Sequence, residues 1–239
     1  MKLHLFDIPV HIKWSFWLIA LLIAPFSLDT WLESAVIRLM AVWALVVLVS
    51  VLVHELGHAI VARHYGAKVS ITLYALGGYT IWETATPLGP WRRVAIAASG
   101  SAVGFALGGL VWAGLDVYEP ASRVLNFGLA AFWQVNLVWG VLNWLPIRPL
   151  DGGHIFSGFL EGSLGPKRGS RVANVVFPVF TAAAGWYAWR QGLVFAAFLA
   201  GFVLLSEVQR FGAGRRPPPQ QAPPERFLFE DTGGDGDGG

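Results

Sequence analysis

Residues 35–58 read AVIRLMAVWALVVLVSVLVHELGH, an apolar run with one charge, Arg38, that ends in the motif His54-Glu55-Leu56-Gly57-His58. Histidines four residues apart lie on one face of a helix, so both imidazoles can bind a single Zn²⁺ with Glu55 beside them as general base. Ionisable groups are costly inside a membrane helix and usually mark a functional site there. The segment therefore predicts a membrane-spanning helix that holds a zinc-activated water.

The whole chain has the composition of a membrane protein. Of its 239 residues, 55% are hydrophobic and 13% are charged, and its mean hydropathy is +0.55. Its apolar segments are long enough to cross a bilayer, so we predict an all-α polytopic membrane protein with about six transmembrane helices. The first has no small-residue cleavage site and is predicted to be retained as a span. The six predicted spans are Trp14–Leu28, Ala35–Tyr65, Val94–Leu115, Val124–Leu145, Val172–Trp189 and Leu193–Val208.

The loops between these segments are unequally charged. Basic residues cluster at both ends of the chain and after the even-numbered segments, whereas the opposite loops carry acidic residues. The positive-inside rule then predicts a multi-pass protein of the cell membrane with both termini in the cytoplasm. From Ala35 to Val53 the helix would rise about 28 Å, so His54 and His58 should lie towards the cytoplasmic face. Membrane orientation accounts for the scattered basic residues, and nucleic acid binding is not predicted.

Two stretches depart from the helical pattern. Between Lys68 and Glu83, apolar and polar residues alternate and are interrupted by Gly77-Gly78. This pattern predicts a short strand or hairpin, which at membrane depth must be sheltered by protein or line a cavity. A similar alternation in residues 8–12 predicts a further strand at the membrane interface.

Two further patterns concern helix packing and domain organisation. Gly100, Gly104 and Gly108 recur every four residues, and small residues at that spacing let helices approach closely. The membrane domain is predicted to occupy residues 1–210. Residues 211–239 are rich in proline, glycine and aspartate and are predicted to form a disordered cytoplasmic tail.

The third zinc ligand must come from another part of the chain. The sequence has no cysteine, so the ligands are limited to histidine and carboxylate. A catalytic zinc site needs three protein ligands and one open position. The best candidate is Asp151, which follows the fourth segment at the depth expected for His54 and His58, after Pro146 and Pro149 end that helix. A helix-ending turn that carries a solvated aspartate explains this segment equally well.

Two motifs of the chain occur together. The first is His54-Glu55-Leu56-Gly57-His58, and the second is Asn143-x-x-Pro146-x-x-x-Leu150-Asp151-Gly152-Gly153. Together they resemble the site-2 protease family of intramembrane zinc metalloproteases, in its compact six-span form without PDZ or cystathionine-synthase-type domains. The resemblance extends to Gly66 after the zinc helix and to the strand-like stretch that ends in Gly77-Gly78. It covers roughly residues 2–160.

The resemblance implies a role for each motif residue. His54, His58 and Asp151 would hold one Zn²⁺ per chain. Glu55 would activate the water at the open position, and Asn143 would help to hold the scissile carbonyl or its oxyanion. The implied enzyme is a zinc metalloendopeptidase that cleaves transmembrane protein substrates near the cytoplasmic side of the lipid bilayer, in regulated intramembrane proteolysis.

A transmembrane substrate hides its peptide bonds inside a helix and must unwind before it is cleaved. Adding it as an extended strand to the edge Val69–Gly78, with Gly77 and Gly78 as substrate-binding residues, would satisfy its backbone groups. Arg148 replaces the apolar residue or proline often found at its position in the family, which leaves the local substrate contacts open.

Two other functions remain to be distinguished from proteolysis. A catalytically inactive zinc-binding scaffold could bind transmembrane helices, but it would not need Glu55. A transporter with a midplane metal site would favour internal repeats and several ionisable residues along a path, whereas the sequence shows one such cluster. Asn136 is predicted to join helices. His154 is predicted to cap or pack, with support of a metal ligand as the alternative. The substrate's identity and the oligomeric state are not predicted.

Overall fold

The computed structural model describes residues 1–26, 34–75, 77–118 and 120–212. Within these ranges the chain forms seven helices and one four-stranded sheet. The predicted tail lies outside the described residues, except for residues 211 and 212 at the end of the last helix. In chain order the elements are β1 (Lys2–Leu5), β2 (Ile8–Ile12), α1 (Trp14–Leu22), α2 (Ser34–His64), β3 (Lys68–Tyr74), β4 (Gly77–Glu83), α3 (Pro90–Val117), α4 (Arg123–Asn143), α5 (Asp151–Leu164), α6 (Pro166–Arg190) and α7 (Val194–Gly212).

Four of the described helices, α2, α3, α4 and α6, are long and apolar enough to cross a membrane. They match the second to fifth predicted spans, so the helical membrane class is confirmed. The first predicted span contains the nine-residue α1, which ends before Pro25 because the residue preceding a proline disfavours the helical conformation. The last corresponds to α7, whose apolar part is the shorter stretch Ala196–Glu207. The predicted count of six is therefore not confirmed.

Helix α5 occupies a stretch for which the sequence predicted no span. Several glycines and Glu161 interrupt its apolar residues, so it shows no long apolar run. In the structure Gly152, Gly153 and Gly158 are buried, and the helix packs against α3 and α6. Asp151 stands in its first turn.

Helices α2, α3 and α4 pack against one another, with α3 also contacting α5. The predicted packing role of the glycines is confirmed, since a Cβ added at Gly104 would lie 3.0 Å from Oδ1 of Asn136 and one at Gly108 would lie 3.1 Å from its Cβ. Asn136 in turn donates from Nδ2 to Oγ of Ser50 on α2, over 2.9 Å. The prediction that Asn136 joins helices is confirmed as well.

The four strands form one sheet in the order β1-β2-β3-β4. β1 and β2 pair antiparallel, as do β3 and β4, and a parallel pairing of β2 with β3 joins the two hairpins. Ile8, Val10, Ile71 and Leu73 are fully buried against α1 and α2. Both predicted strand regions are confirmed. The predicted substrate edge along Val69–Gly78 is not open at residues 71–73 of β3, because β2 pairs there on one side and β4 on the other.

Candidate metal centre

The two histidines of the first motif meet on one face of α2. Their Nε2 atoms lie 3.1 Å apart, and both residues are buried, with 7% of their surface exposed. The spacing of four residues brings the rings together with no help from another element. This is the arrangement that the sequence predicted.

Helix α3 sets the orientation of His58. The Nδ1 atom of His58 lies 2.6 Å from the carbonyl oxygen of Ile96, so Nδ1 carries the proton and donates it. The lone pair of Nε2 then points at His54. The close approach of α3 to His58 requires Gly100. A Cβ at that position would lie 2.5 Å from Cε1 of the His58 ring and 2.9 Å from the carbonyl oxygen of His54.

Asp151 brings a carboxylate to the same point from α5. Its Oδ2 lies 3.0 Å from Nε2 of His54 and 3.2 Å from Nε2 of His58. This oxygen is buried and has no hydrogen-bond partner among the described residues. The start of a helix favours a negative charge, so the position of Asp151 in the first turn of α5 stabilises its carboxylate.

The three atoms fit a zinc ion. Ligands placed tetrahedrally at ~2.0–2.1 Å from Zn²⁺ are about 3.3 Å from one another, and the observed separations are 3.0, 3.1 and 3.2 Å. Lone pairs of two neutral imidazoles and a carboxylate repel one another at this distance unless a cation or a proton lies between them. Among the residues that the structure describes, His54, His58 and Asp151 are the one group of ligand-type side chains that converges in this way.

Glu55 lies beside the ligands and is covered by the β3–β4 hairpin. Its Oε2 accepts a hydrogen bond of 2.7 Å from Oγ1 of Thr80, and the residue is 5% exposed. Gly78 leaves the room for the carboxylate, because a Cβ there would lie 2.7 Å from Oε1 of Glu55. The sequence analysis did not single out Thr80. The strand alternation contained a signal, since it places Gly78 and Thr80 on one face of β4.

The remaining predicted site residues also gather here. Asn143 is the last residue of α4, and its Nδ2 lies 3.4 Å from Nε2 of His54. Gly77 begins β4 with φ at 115° beside the Trp139 side chain. His154, in contrast, is exposed on α5 and does not belong to the group of three ligands.

A protein-family comparison matches residues 42–126 and 119–184 to the model of peptidase family M50. Two named relatives are Rip3 of Mycobacterium tuberculosis and sll0528 of Synechocystis, and both names refer to zinc metalloproteases. Rip3 is 34% identical over 219 residues, which cover 81% of this chain and 54% of Rip3. For sll0528 the identity is 32% over 202 residues, covering 79% of this chain and 51% of that protein. The chain thus spans about half the length of these relatives.

The fold also matches a solved structure, the site-2 protease of Methanocaldococcus jannaschii. The TM-score is 0.60 at 22% identity, and the match covers 87% of this chain and 94% of that one. At this identity the likeness concerns the fold. The family match in sequence extends from within α2 to within α6, so it contains His54, His58 and Asp151.

Proposed function

The chain belongs to peptidase family M50, the family of the site-2 proteases, and on this basis we propose that it is a zinc endopeptidase that cleaves transmembrane proteins near the cytoplasmic side of the membrane. The observation that carries the proposal is the convergence of His54, His58 and Asp151 within 3.2 Å of one another, with Glu55 buried beside them. Release of a cytoplasmic product would serve regulated intramembrane proteolysis.

Each site residue has a distinct part in the proposed reaction. His54, His58 and Asp151 would hold the zinc ion, which when bound lowers the pKa of a water towards ~7 and polarises the peptide carbonyl. Glu55 would accept the proton of the attacking water and pass it to the leaving amine. The Thr80 hydroxyl donates a hydrogen bond to Oε2 of Glu55, which leaves Oε1 for this proton transfer.

Asn143 is proposed to stabilise the oxyanion. Its side-chain nitrogen lies 3.4 Å from Nε2 of His54, so an amide N–H can reach the space in which the scissile carbonyl must lie. A donor that is already in place when negative charge develops lowers the barrier more than one that must reorganise.

The substrate is proposed to bind in an extended form along β4. This strand pairs with β3 on one side and is the outer strand of the described sheet next to Glu55. An added strand would bring its backbone past Gly77 and Gly78 and satisfy the polar groups that a helix loses when it unwinds. Single proline substitutions along Tyr79–Glu83 should reduce cleavage most at alternate positions. An even effect along the strand would contradict pairing at this edge.

The chain is a multi-pass membrane protein, and we propose that its termini face the cytoplasm. The absence of cysteine allows a direct test, because single cysteines introduced at Lys13 and Asp116 report exposure without background. Both positions are exposed in the structure. In intact cells, an impermeant thiol reagent should label Asp116→Cys and spare Lys13→Cys. The opposite pattern would reverse the proposed orientation.

The proteolytic function is tested with purified protein, Zn²⁺ and a tagged single-span substrate in detergent. Wild type should release a shorter product, and Glu55→Gln should reduce the rate at least ~100-fold because the general base is lost. Zinc content, measured on the same samples, should be equal in the two proteins. Equal cleavage would remove Glu55 from the reaction. Zinc binding without cleavage in either protein would favour the inactive scaffold.

A further inference from the structure

A polar network centred on Arg148 connects the α4–α5 loop to the last two helices. The guanidinium donates from one terminal nitrogen to Oε2 of Glu207 on α7, over 2.8 Å, and from the other to Oδ1 of Asn174 on α6, over 3.2 Å. Its central carbon stands 4.5 Å from the centre of the Phe177 ring, also on α6. The network therefore fixes a loop residue at three points on two other helices.

The burial of Glu207 indicates that this contact is more than a surface ion pair. The Glu207 side chain is 2% exposed and that of Arg148 is 25% exposed. Phe177, which lies under the guanidinium, is fully buried. A carboxylate in such a place is strongly disfavoured unless a cation faces it, and Arg148 is its ion-pair partner within the described residues. The planar guanidinium can meet both acceptors and the ring at once, which a lysine ammonium cannot.

Arg148 is three residues from the ligand Asp151, and the chain between them is tightly folded. Leu150 donates its N–H to the carbonyl oxygen of Ile147, and Gly153 donates to that of Leu150. A Cβ at Gly153 would lie 2.9 Å from the Ile147 carbonyl oxygen, so the loop rests directly on the first turn of α5. With this packing, a displacement of Arg148 displaces the Asp151 carboxylate.

We propose that Arg148 is a positioning residue, which places Asp151 for zinc binding by anchoring the α4–α5 loop to α6 and α7. Arg148, Asn174, Phe177 and Glu207 are called the clamp. Glu207 lies beyond the residues that match the family model, so the clamp links the shared metal centre to a helix outside that match. The inference rests on the proposed zinc site and is independent of whether the protein cleaves a substrate.

The test replaces the ion pair without leaving a buried charge unpaired. The double variant Arg148→Met/Glu207→Leu removes both charges and keeps the volume similar, so the apoprotein should still fold. Its zinc affinity, measured by competition with a chromophoric chelator, should fall about tenfold, as for the loss of an outer partner of a metal ligand. The matched control is Arg93→Met/Glu161→Leu, which removes the 2.5 Å ion pair between α3 and α5. The control should bind zinc like wild type.

Three outcomes overturn the proposal. The first is a zinc affinity of the clamp variant equal to that of wild type, and the second is an equal loss of affinity in the control. The third is a clamp variant whose apoprotein is unfolded, together with wild-type zinc affinity in Arg148→Lys and Asn174→Leu. These two single changes each preserve the charge on Glu207's partner and should weaken zinc binding by a smaller factor. Wild type in the same titration separates the two proposals. If wild type binds no zinc, the proposed function fails, whereas a wild type that binds zinc no better than the clamp variant removes only the clamp.

Discussion

The two sides of the metal centre are built in different ways. On one side, His54 and His58 project from a single helix, and the Ile96 carbonyl of α3 orients the second ring. On the other side, Asp151 begins a separate helix behind a loop that Arg148 anchors to α6 and α7. Local spacing thus places the histidines, whereas contacts between distant parts of the chain place the carboxylate. Substitutions on the histidine side should therefore act on zinc binding through the packing of α3 on α2, and those on the carboxylate side through the α4–α5 loop.

The largest expected effect is the loss of a ligand from either side. Asp151→Ala and His58→Ala should each abolish stoichiometric zinc binding, with losses beyond the ~10- to 100-fold typical of outer partners. Metal analysis after dialysis against a weak chelator measures this. Glu55→Gln is the control and should retain zinc. Full zinc content in Asp151→Ala would mean that Asp151 is not needed for zinc binding and that the histidine side is sufficient.

The next effect concerns the histidine side alone. Gly100→Ala would place a methyl group against Nε2 and 2.5 Å from Cε1 of the His58 ring, so α3 must move away and the Ile96 contact must lengthen. We expect destabilisation of about 1–3 kcal/mol and a clear loss of zinc affinity. Gly109→Ala on the same helix meets no atom within 4 Å and serves as the control. If both variants behave alike, close packing of α3 does not support the histidines.

A smaller effect should separate the base from the ligands that share its helix. Thr80→Val removes the hydrogen bond to Oε2 of Glu55 and should lower kcat about tenfold, since a hydrogen bond to a charged group contributes ~1.5–3 kcal/mol. Zinc affinity should not change. Thr80→Ser keeps the hydroxyl and should restore the rate. A rate for Thr80→Val equal to that of wild type would show that β4 does not orient Glu55.

The smallest effect is expected where the histidine helix meets α4 away from the metal. Asn136→Leu breaks the bond to Ser50 and should lower the free energy of unfolding by about 1 kcal/mol, because hydrogen bonds between membrane helices contribute little on average. Denaturant titration in detergent measures the change. Zinc binding should stay at the wild-type level, and a large loss would extend the histidine side of the centre to Asn136.

Local periodicity accounts for the features that the sequence predicted. The four-residue spacing of His54 and His58, the spacing of Gly104 and Gly108, and the two-residue alternation in β2 and β3 each depend on the geometry of one element. The structure contains the corresponding face, packing surface and strands. Asp151 was predicted as a ligand because the topology places the end of α4 at the same depth as the histidines.

Features that depend on distant pairs were not predictable in the same way. Thr80 and Glu55 are 25 residues apart, and Arg148 and Glu207 are 59 residues apart. In neither pair does the sequence around one residue indicate which distant residue it contacts. Helix α5 was missed because its glycines allow close packing but weaken the apolar pattern. The predicted count of six spans is not confirmed, because composition alone does not show where α1 ends.

The parallel pairing of β2 with β3 has a consequence for the order of assembly. The two strands are separated along the chain by α1 and α2, so the ends of this long connection must come together before the two local hairpins can join into one sheet. The histidine pair exists as soon as α2 is helical. Glu55 acquires its Thr80 partner when β4 pairs with β3. Asp151 belongs to α5 and is synthesised after β4, so the hairpin that covers Glu55 can form before the third proposed ligand is present. The three proposed ligands therefore meet only after all four strands have been made.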